Sequence, residues 1–313
     1  MRFSRLAALL VLTGCLAGMP AFARAEAKPV TVLAAGDIAF CERSLLRRLK
    51  DRRYGHSAKS GAPATAALLD RLSGTVLALG DLAYWRGTEA EFEDCYDPSW
   101  GRHKARSRPV PGNHEYRSPE AAPYYAYWDG RAGHLDKGYY SFDLGAWHLV
   151  ALNSNLEGEA MAEQQAWLGR DLAASEVGCI LAYGHHPRFS SGKNGDRAHM
   201  AGLYRLLYEA GASLFLAGHD HNYERLAPMD PKGRPDPKRG IRSFVVGTGG
   251  GQLKTYAISE PPRANSEVVD GSTWGVLELT LHEDRYDWAF VPVEGATFAD
   301  SGSADCIDRP SAP

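Results

Sequence analysis

The chain of 313 residues has little cysteine, no run of basic residues and, beyond its N-terminus, no long apolar stretch. A formal net charge of −3 without clustered lysine or arginine gives no footprint for nucleic acid or an anionic membrane surface. No later segment reaches the roughly 18 consecutive apolar residues that a membrane span needs. No repeat or low-complexity tract is present. What remains is 44% hydrophobic and 23% charged, the profile of a soluble globular protein with ample material for a core.

The N-terminus carries Arg2 and Arg5, an apolar stretch from Leu6 to about Met19, and small-residue sites at Ala21-Phe22-Ala23 and Ala23-Arg24-Ala25. This pattern predicts an export signal over residues 1–25, a single domain over 26–313, and a periplasmic or extracellular destination. Leu12-Thr13-Gly14-Cys15 is similar to a lipoprotein processing box, which offers anchoring through Cys15 as the alternative. The apolar stretch continues past Cys15 to a second cleavage site, which favours ordinary cleavage. Removal of residues 1–25 leaves 32 basic against 38 acidic residues, a net charge of −6. It also leaves Cys41, Cys95, Cys179 and Cys306, an even number that predicts two disulfides in an exported chain.

Val30 to Ala35 and Thr75 to Leu79 are short apolar runs separated by a helix-like stretch at Pro63 to Leu72, the grammar of a βαβ unit. Tyr139 to Asp143 and Trp147 to Asn153 predict a hairpin about Leu144-Gly145. Ala160 to Ser175 has helical spacing, with Met161, Trp167, Leu168 and Leu172 as its apolar stripe. Cys179 to Tyr183 and Ser213 to Ala217 are further strands around a helix at His199 to Ala210. Phe244 to Val246, Trp274 to Leu281 and Tyr286 to Val291 add β structure, and Asp230 to Arg239 reads as a loop.

One device recurs at the strand ends. VTVLAAGD, VLALGD, RPVPGNH, CILAYGHH and SLFLAGHDH each run from apolar residues into a glycine, which allows a tight turn. In each the next residue can bind a metal. Functional groups of open α/β folds gather at the carboxyl ends of strands, so positions scattered over most of the chain can converge. The convergent set is Asp37, Asp81, Tyr84, Asn113, His185, His219 and His221. In an extended segment His219 and His221 project to one face. Seven carboxylate, amide, phenol and imidazole donors suit two ions better than one, and suit iron, manganese or zinc.

In these motifs, GDIA at Gly36, GDLAY at Gly80, GNHE at Gly112, GHH at Gly184 and GHDHNYER at Gly218, the chain resembles the calcineurin-like metallophosphoesterases. Within them it resembles the purple acid phosphatases, especially secreted bacterial forms without the extra N-terminal β domain of the plant enzymes. The likeness runs from about Val30 to Cys306. It implies an α/β four-layer sandwich, two mixed β-sheets flanked by helices, with a dinuclear site at the strand carboxyl ends. It implies one metal held by Asp37, Tyr84 and His221, a second by Asn113, His185 and His219, and Asp81 bridging both. It also implies Fe(III) with a divalent zinc, manganese or iron. Many calcineurin-like enzymes have D-x-H at the first motif; this chain has Asp37-Ile38-Ala39, and the missing histidine favours a site completed by the Tyr84 phenolate. Purple enzymes commonly carry glycine where Ala39 stands.

Two adjacent cations can hold a phosphate ester and activate water as hydroxide for in-line attack on phosphorus. His114 is the natural proton donor to the leaving alkoxide, and the resemblance assigns it to leaving-group contact. A small-molecule phosphate ester, most simply a monoester, is the expected substrate. A phosphodiesterase or nucleotidase, or a metal- or phosphate-binding protein without chemistry, are the alternatives.

His186 competes with its neighbour His185 as a ligand, and the glycine register and the family pattern favour His185. His199 reads as a surface residue, Glu115 as a hydrogen-bonding partner, and Arg188 and Arg225 as phosphate contacts or loop anchors. His56, His103, His134, His148 and His282 read as structural. The run from Val245 to Gly251 lacks the Lys-Ser/Thr of a nucleotide-binding loop and reads as a tight loop near the site. Tyr124, Tyr125, Tyr127 and Trp128 read as loop packing. The expected disulfides pair Cys41 with Cys95, both of which follow metal-bearing strand ends. They also pair Cys179 with Cys306, tying the C-terminal tail to the strand that leads to His185.

Overall fold

The computed structural model describes residues 28–40, 60–133, 137–255 and 258–307. Residues 1–25, Cys41, His56 and His134 lie outside them, so the expected leader and the pairing of Cys41 with Cys95 do too. Among the described residues fifteen strands form three sheets. They are β1 (Val30–Ala35), β2 (Ala39–Phe40), β3 (Thr75–Leu79), β4 (Ala83–Tyr84), β5 (Ser107–Val110), β6 (Tyr140–Leu144), β7 (Trp147–Ala151) and β8 (Cys179–Tyr183). They continue as β9 (Leu214–Ala217), β10 (Tyr223–Met229), β11 (Ile241–Val246), β12 (Ser266–Asp270), β13 (Gly275–Leu281), β14 (Arg285–Pro292) and β15 (Ser301–Asp305).

One sheet has the order β15-β14-β13-β1-β3-β5 and the other β12-β10-β11-β9-β8-β7-β6, while β2 and β4 make a short parallel ladder. The centre of the first sheet, β1, β3 and β5, is parallel, and so is the centre of the second, β7, β8, β9 and β11. Parallel strands covered on both faces need continuous apolar runs, which WHLVA, CILAY and LFLA supply. Strand alternation then sorts neighbours to opposite faces. Leu149, Leu181 and Leu216 join the core that holds Leu33 and Leu77 of the first sheet. Val150, Ile180 and Phe215 instead pack against Leu168, Leu172, Leu203 and Leu207. Those leucines belong to the helices Gly158–Ala174 and Ala201–Glu209. The helix Ala62–Arg71 packs on β13, which completes the expected succession of helix, sheet, sheet and helix.

Most predicted elements stand within a few residues of their expected bounds. The helix stripe differs: Trp167 is only half-buried, against the Tyr139 ring at 4.7 Å between centroids, while Gln164 is buried. The Gln164 amide bridges the backbone N–H and C=O of Asn153, at 2.8 and 3.0 Å, so its polarity is satisfied although it is buried with the apolar stripe. Cys179 and Cys306 are joined, with Cα atoms 5.7 Å apart. That bond fastens the segment after β15 to the start of β8.

Candidate metal centre

Five strands, β1, β3, β5, β8 and β9, deliver their carboxyl ends to one place. All seven expected ligands and His114 are brought together there. The glycines serve chiefly by what they leave out. Gly80 has a positive φ of 83°, but at Gly112 the issue is space: an added Cβ would come within 2.2 Å of the Asp81 backbone nitrogen and carboxylate. The turn itself is taken by the following residues. Asp37, Asp81 and His219 have φ of 59°, 51° and 72°, a left-handed conformation uncommon for side-chain-bearing residues and concentrated at functional sites. The expectation that each glycine makes the turn is therefore corrected: the candidate ligands themselves make it at three of the five ends.

Hydrogen bonds beneath the site hold this backbone. The buried Glu115 carboxylate accepts from the N–H groups of Asp81, Leu82 and Gly112 at 2.9, 2.9 and 2.7 Å, coupling the ends of β3 and β5. Burial and the neighbouring Asp81 push Glu115 up to about 7, against those donors, which favour its ionised form. The Asp37 Oδ2 accepts from His219 N at 2.7 Å, and Gly249 N donates to Gly36 O at 2.9 Å. The glycine run thus lies under the site and packs it.

The side chains form two triangles. In the first, Tyr84 Oη is 2.7 Å from Asp37 Oδ1 and 3.1 Å from His221 Nε2, and the last two are 3.2 Å apart. In the second, His185 Nε2 is 3.2 Å from Asn113 Oδ1 and 3.1 Å from His219 Nδ1. Asp81 Oδ1 stands 3.4 Å from the same His185 nitrogen. Ligands about 2.1 Å from one cation lie about 3.0–3.4 Å apart, so both groupings match the spacing of coordinating atoms. Protons serve them poorly. A single N–H on His185 would face an amide oxygen, a carboxylate oxygen and a ring nitrogen, and it can satisfy one well. The donor set fits a pair of cations.

Backbone carbonyls settle which ring nitrogen points inward. His185 Nδ1 donates to Leu79 O at 2.9 Å, His221 Nδ1 to Gln252 O at 2.6 Å and His114 Nδ1 to Trp85 O at 2.8 Å. A carbonyl can only accept, so Nδ1 carries the proton and Nε2 faces the site. His219 is reversed and turns Nδ1 inward.

The electrostatics follow from crowding. Burial opposes ionisation of Asp81, but the His185 charge and hydrogen bond, then His114, outweigh it and hold the carboxyl well below its usual range. Burial lowers His185 while Asp81 and Asp37 push it up to about 9. Burial, then His185, pushes His186 down to about 2 and lowers His219 further. The Tyr84 phenol lies well above its usual value through burial and the two aspartates.

His114 Nε2 is 3.7 Å from Asp81 Oδ2, its ring packs edge-on to Tyr84 at 4.4 Å, and its backbone N–H donates to Asp81 Oδ1 at 2.8 Å. Glu91, which accepts from Trp85 N and Arg86 N at 2.6 and 3.0 Å, fixes the loop that offers the Trp85 carbonyl. His186 bonds Ser154 Oγ through Nδ1 at 2.8 Å, its ring 4.3 Å from that of His219. Arg225 is held by Asp300 and Glu267 and anchors strands. Trp85, Gln252, Ser154 and Arg197 border the site and carried no motif of their own; Trp85 and Gln252 merely adjoin one, and Ser154 and Arg197 have no local signal.

A family model of calcineurin-like phosphoesterases matches residues 30–223. Purple acid phosphatase 21 of Arabidopsis thaliana is 30% identical over 237 residues, covering 67% of this chain and 52% of that protein. The fold matches a purple acid phosphatase from yellow lupin (Lupinus luteus) seeds with a TM-score of 0.68 and 17% identity, over 91% of this chain and 55% of that one. It also matches GAP50, the anchor in the inner membrane complex of Plasmodium, with a TM-score of 0.65 and 14% identity, over 90% of each chain. The chain spans about half the length, or less, of the curated relatives it matches. On the family match over most of its length and on the convergence of the five strand-end motifs, the chain belongs to the calcineurin-like phosphoesterase family.

Proposed function

We propose that the chain is an exported dinuclear-metal phosphoesterase that hydrolyses phosphomonoesters. The observation that carries the reading is the pair of ligand triangles meeting at Asp81 with His114 beside them. Asp37, Tyr84 and His221 would hold one ion and Asn113, His185 and His219 the other, with Asp81 between them. When bound, two cations supply charge neutralisation for phosphate and an activated water as nucleophile. Tyr84 places a phenol oxygen beside Asp37 Oδ1 and His221 Nε2, and a hard oxygen donor of this kind would suit Fe(III) in the first triangle, with divalent zinc, manganese or iron in the second.

The protein's own groups do the rest. His114 is held at Nδ1 by the Trp85 carbonyl, so it acts as an acid only as the doubly protonated ring; burial disfavours that form and the neighbouring Asp81 carboxylate favours it, and Nε2–H would then give its proton to a leaving alkoxide. The shared contact of Asp81 with the His114 backbone keeps acid and metal site in register. The leader-like segment 1–25 and the Cys179–Cys306 bond support export, with 26–313 as the working domain.

Metal analysis combined with turnover of an aryl monoester, an alkyl monoester and a diester tests the reading. Two metals per chain and preferential monoester turnover are expected. Two bound metals without turnover of any ester would leave a binding protein, and a diester preference would move the substrate class.

A further inference from the structure

Arg197 stands beside this site with nothing yet for it to do. It ends the loop that follows His186, and it is half-buried. A guanidinium nitrogen meets His219 Nε2, while its Nε is buried with no hydrogen-bond partner. Guanidinium groups only donate, so in this contact Nε2 accepts and the His219 proton sits on Nδ1. Nδ1 is the atom that enters the second triangle, 3.1 Å from His185 Nε2. An imidazole that gives Nδ1 to a cation keeps its proton on Nε2, and two donors then face each other. The guanidinium must find another acceptor.

Nearby carboxylates are already engaged. Asp196 bonds Arg263, and Asp220 accepts from Ser190 Oγ at 2.7 Å and Asn194 N at 3.0 Å. No ion pair to Arg197 occurs among the described residues. The acceptor therefore comes with the ligand, and a phosphate group matches the planar fork of arginine best.

Resting on the phosphoesterase reading, we propose that Arg197 clamps the phosphate group of the substrate and biases the site toward monoesters. A monoester has three unesterified oxygens and a diester two. If the cations that the two ligand sets would hold engage two of these oxygens, a monoester alone keeps a third unesterified oxygen for the guanidinium.

The test compares metal-loaded wild type with Arg197→Met and Arg197→Lys. Calorimetry reads binding of inorganic phosphate, elemental analysis reads the metals, and kinetics read KM and kcat for p-nitrophenyl phosphate and bis(p-nitrophenyl) phosphate. Arg197→Met is expected to keep both metals, weaken phosphate binding about 10- to 100-fold and raise the monoester KM to match, since hydrogen bonds to charged groups carry that much. The diester KM should stay near the wild-type value. Arg197→Lys should recover part of the loss, keeping charge without the fork. Unchanged phosphate affinity, or equal rises in KM for both esters, overturns the clamp. Loss of metal from Arg197→Met overturns it too, since Arg197 then merely props His219. If metal-loaded wild type binds no phosphate and turns over neither ester, the phosphoesterase reading itself falls and takes the clamp with it.

Discussion

Two clusters among the described residues combine buried imidazole with carboxylate, and they behave in opposite ways. On the β6–β7 hairpin, His148 places one ring nitrogen 2.7 Å from Asp143 and the other 2.9 Å from Asp171, and Ser141 donates to the second Asp171 oxygen at 2.6 Å. A charged ring has two donors and finds two acceptors, so nothing is left over. At the strand ends the count does not close: one His185 nitrogen faces two oxygen acceptors besides the His219 nitrogen, and the single Tyr84 hydroxyl proton faces two acceptors. There too the backbone is bent into the left-handed region at Asp37, Asp81 and His219. Residue type alone cannot separate a site from a strut. The balance of donors against acceptors does.

Asp81→Asn should produce the largest effect. Asparagine tolerates the 51° φ and can still accept from His114 N, so the fold should survive. The bridging charge is lost, and both metal content and turnover should fall by more than the roughly 10- to 100-fold that follows loss of a group merely supporting a ligand. Asp81 also pushes up the pKa of both Asp37 and Glu115, while His185 holds its own carboxyl well below the usual range, so in the metal-free protein its removal sets relieved repulsion against a lost attraction. The metal-free variant should melt close to metal-free wild type. A clear drop in that melting temperature, with metals and activity retained, would place Asp81 with the struts.

His114→Ala probes proton transfer within the same cluster. Both metals should remain, because Asn113 and the other ligands are untouched. General acid catalysis contributes on the order of 10² to 10⁴ in rate, so an alkyl phosphate should suffer by something near that. A nitrophenyl phosphate, whose leaving group needs little help, should suffer far less. Equal losses would show that His114 positions phosphate, and the acid assignment would be withdrawn.

The contrast also explains what could be read before any coordinates. Five of the seven candidate ligand positions stood out because each follows an apolar run and a glycine, a local pattern repeated along the chain, and the strands that carry them are apolar enough to declare themselves. Strand β15, SGSAD, is largely exposed and has almost no apolar residue, so periodicity has nothing to register. Strand β10 holds Pro228 beside an irregularity between Leu226 and Met229, which proline-containing strands tolerate but patterns do not reveal. Gln164 hid its burial behind polarity, because its partners are backbone groups of a residue eleven positions away. Arg197 and the Trp85 carbonyl matter through contacts with residues 22 and 29 positions distant, which no local window joins.

Tyr84→Phe sharpens the comparison by a smaller step. With Fe(III) in the first triangle, wild type should show a visible charge-transfer band that the variant lacks. A colourless, active protein containing only manganese or zinc would overturn the iron assignment and leave the phosphoesterase reading in place.

The smallest effect belongs to the closed cluster, through His148→Gln. Burial works against the charged ring, but its hydrogen bonds to Asp171 and Asp143 outweigh it and raise the His148 pKa above its ordinary 6.5. The stabilisation is therefore fully present below the unfolded value and is lost as pH rises through the raised folded value. Asp171 is shifted the other way, below 3.8, by His148 and Ser141 against burial, so its own contribution fades only at lower pH. Between about pH 5.5 and 9 the histidine alone sets the trend. The Asp143 side chain is 58% exposed, which screens its share, so the deficit of the variant should be about 1–2 kcal/mol near pH 5.5 and should shrink toward pH 9. Thermal melts across that range read it, and turnover of the metal-loaded variant should stay at the wild-type level. A deficit that does not vary with pH would mean that His148 acts by packing rather than charge. A loss of activity would mean that the hairpin cluster is coupled to the strand ends, and the two could no longer be set against each other as strut and site.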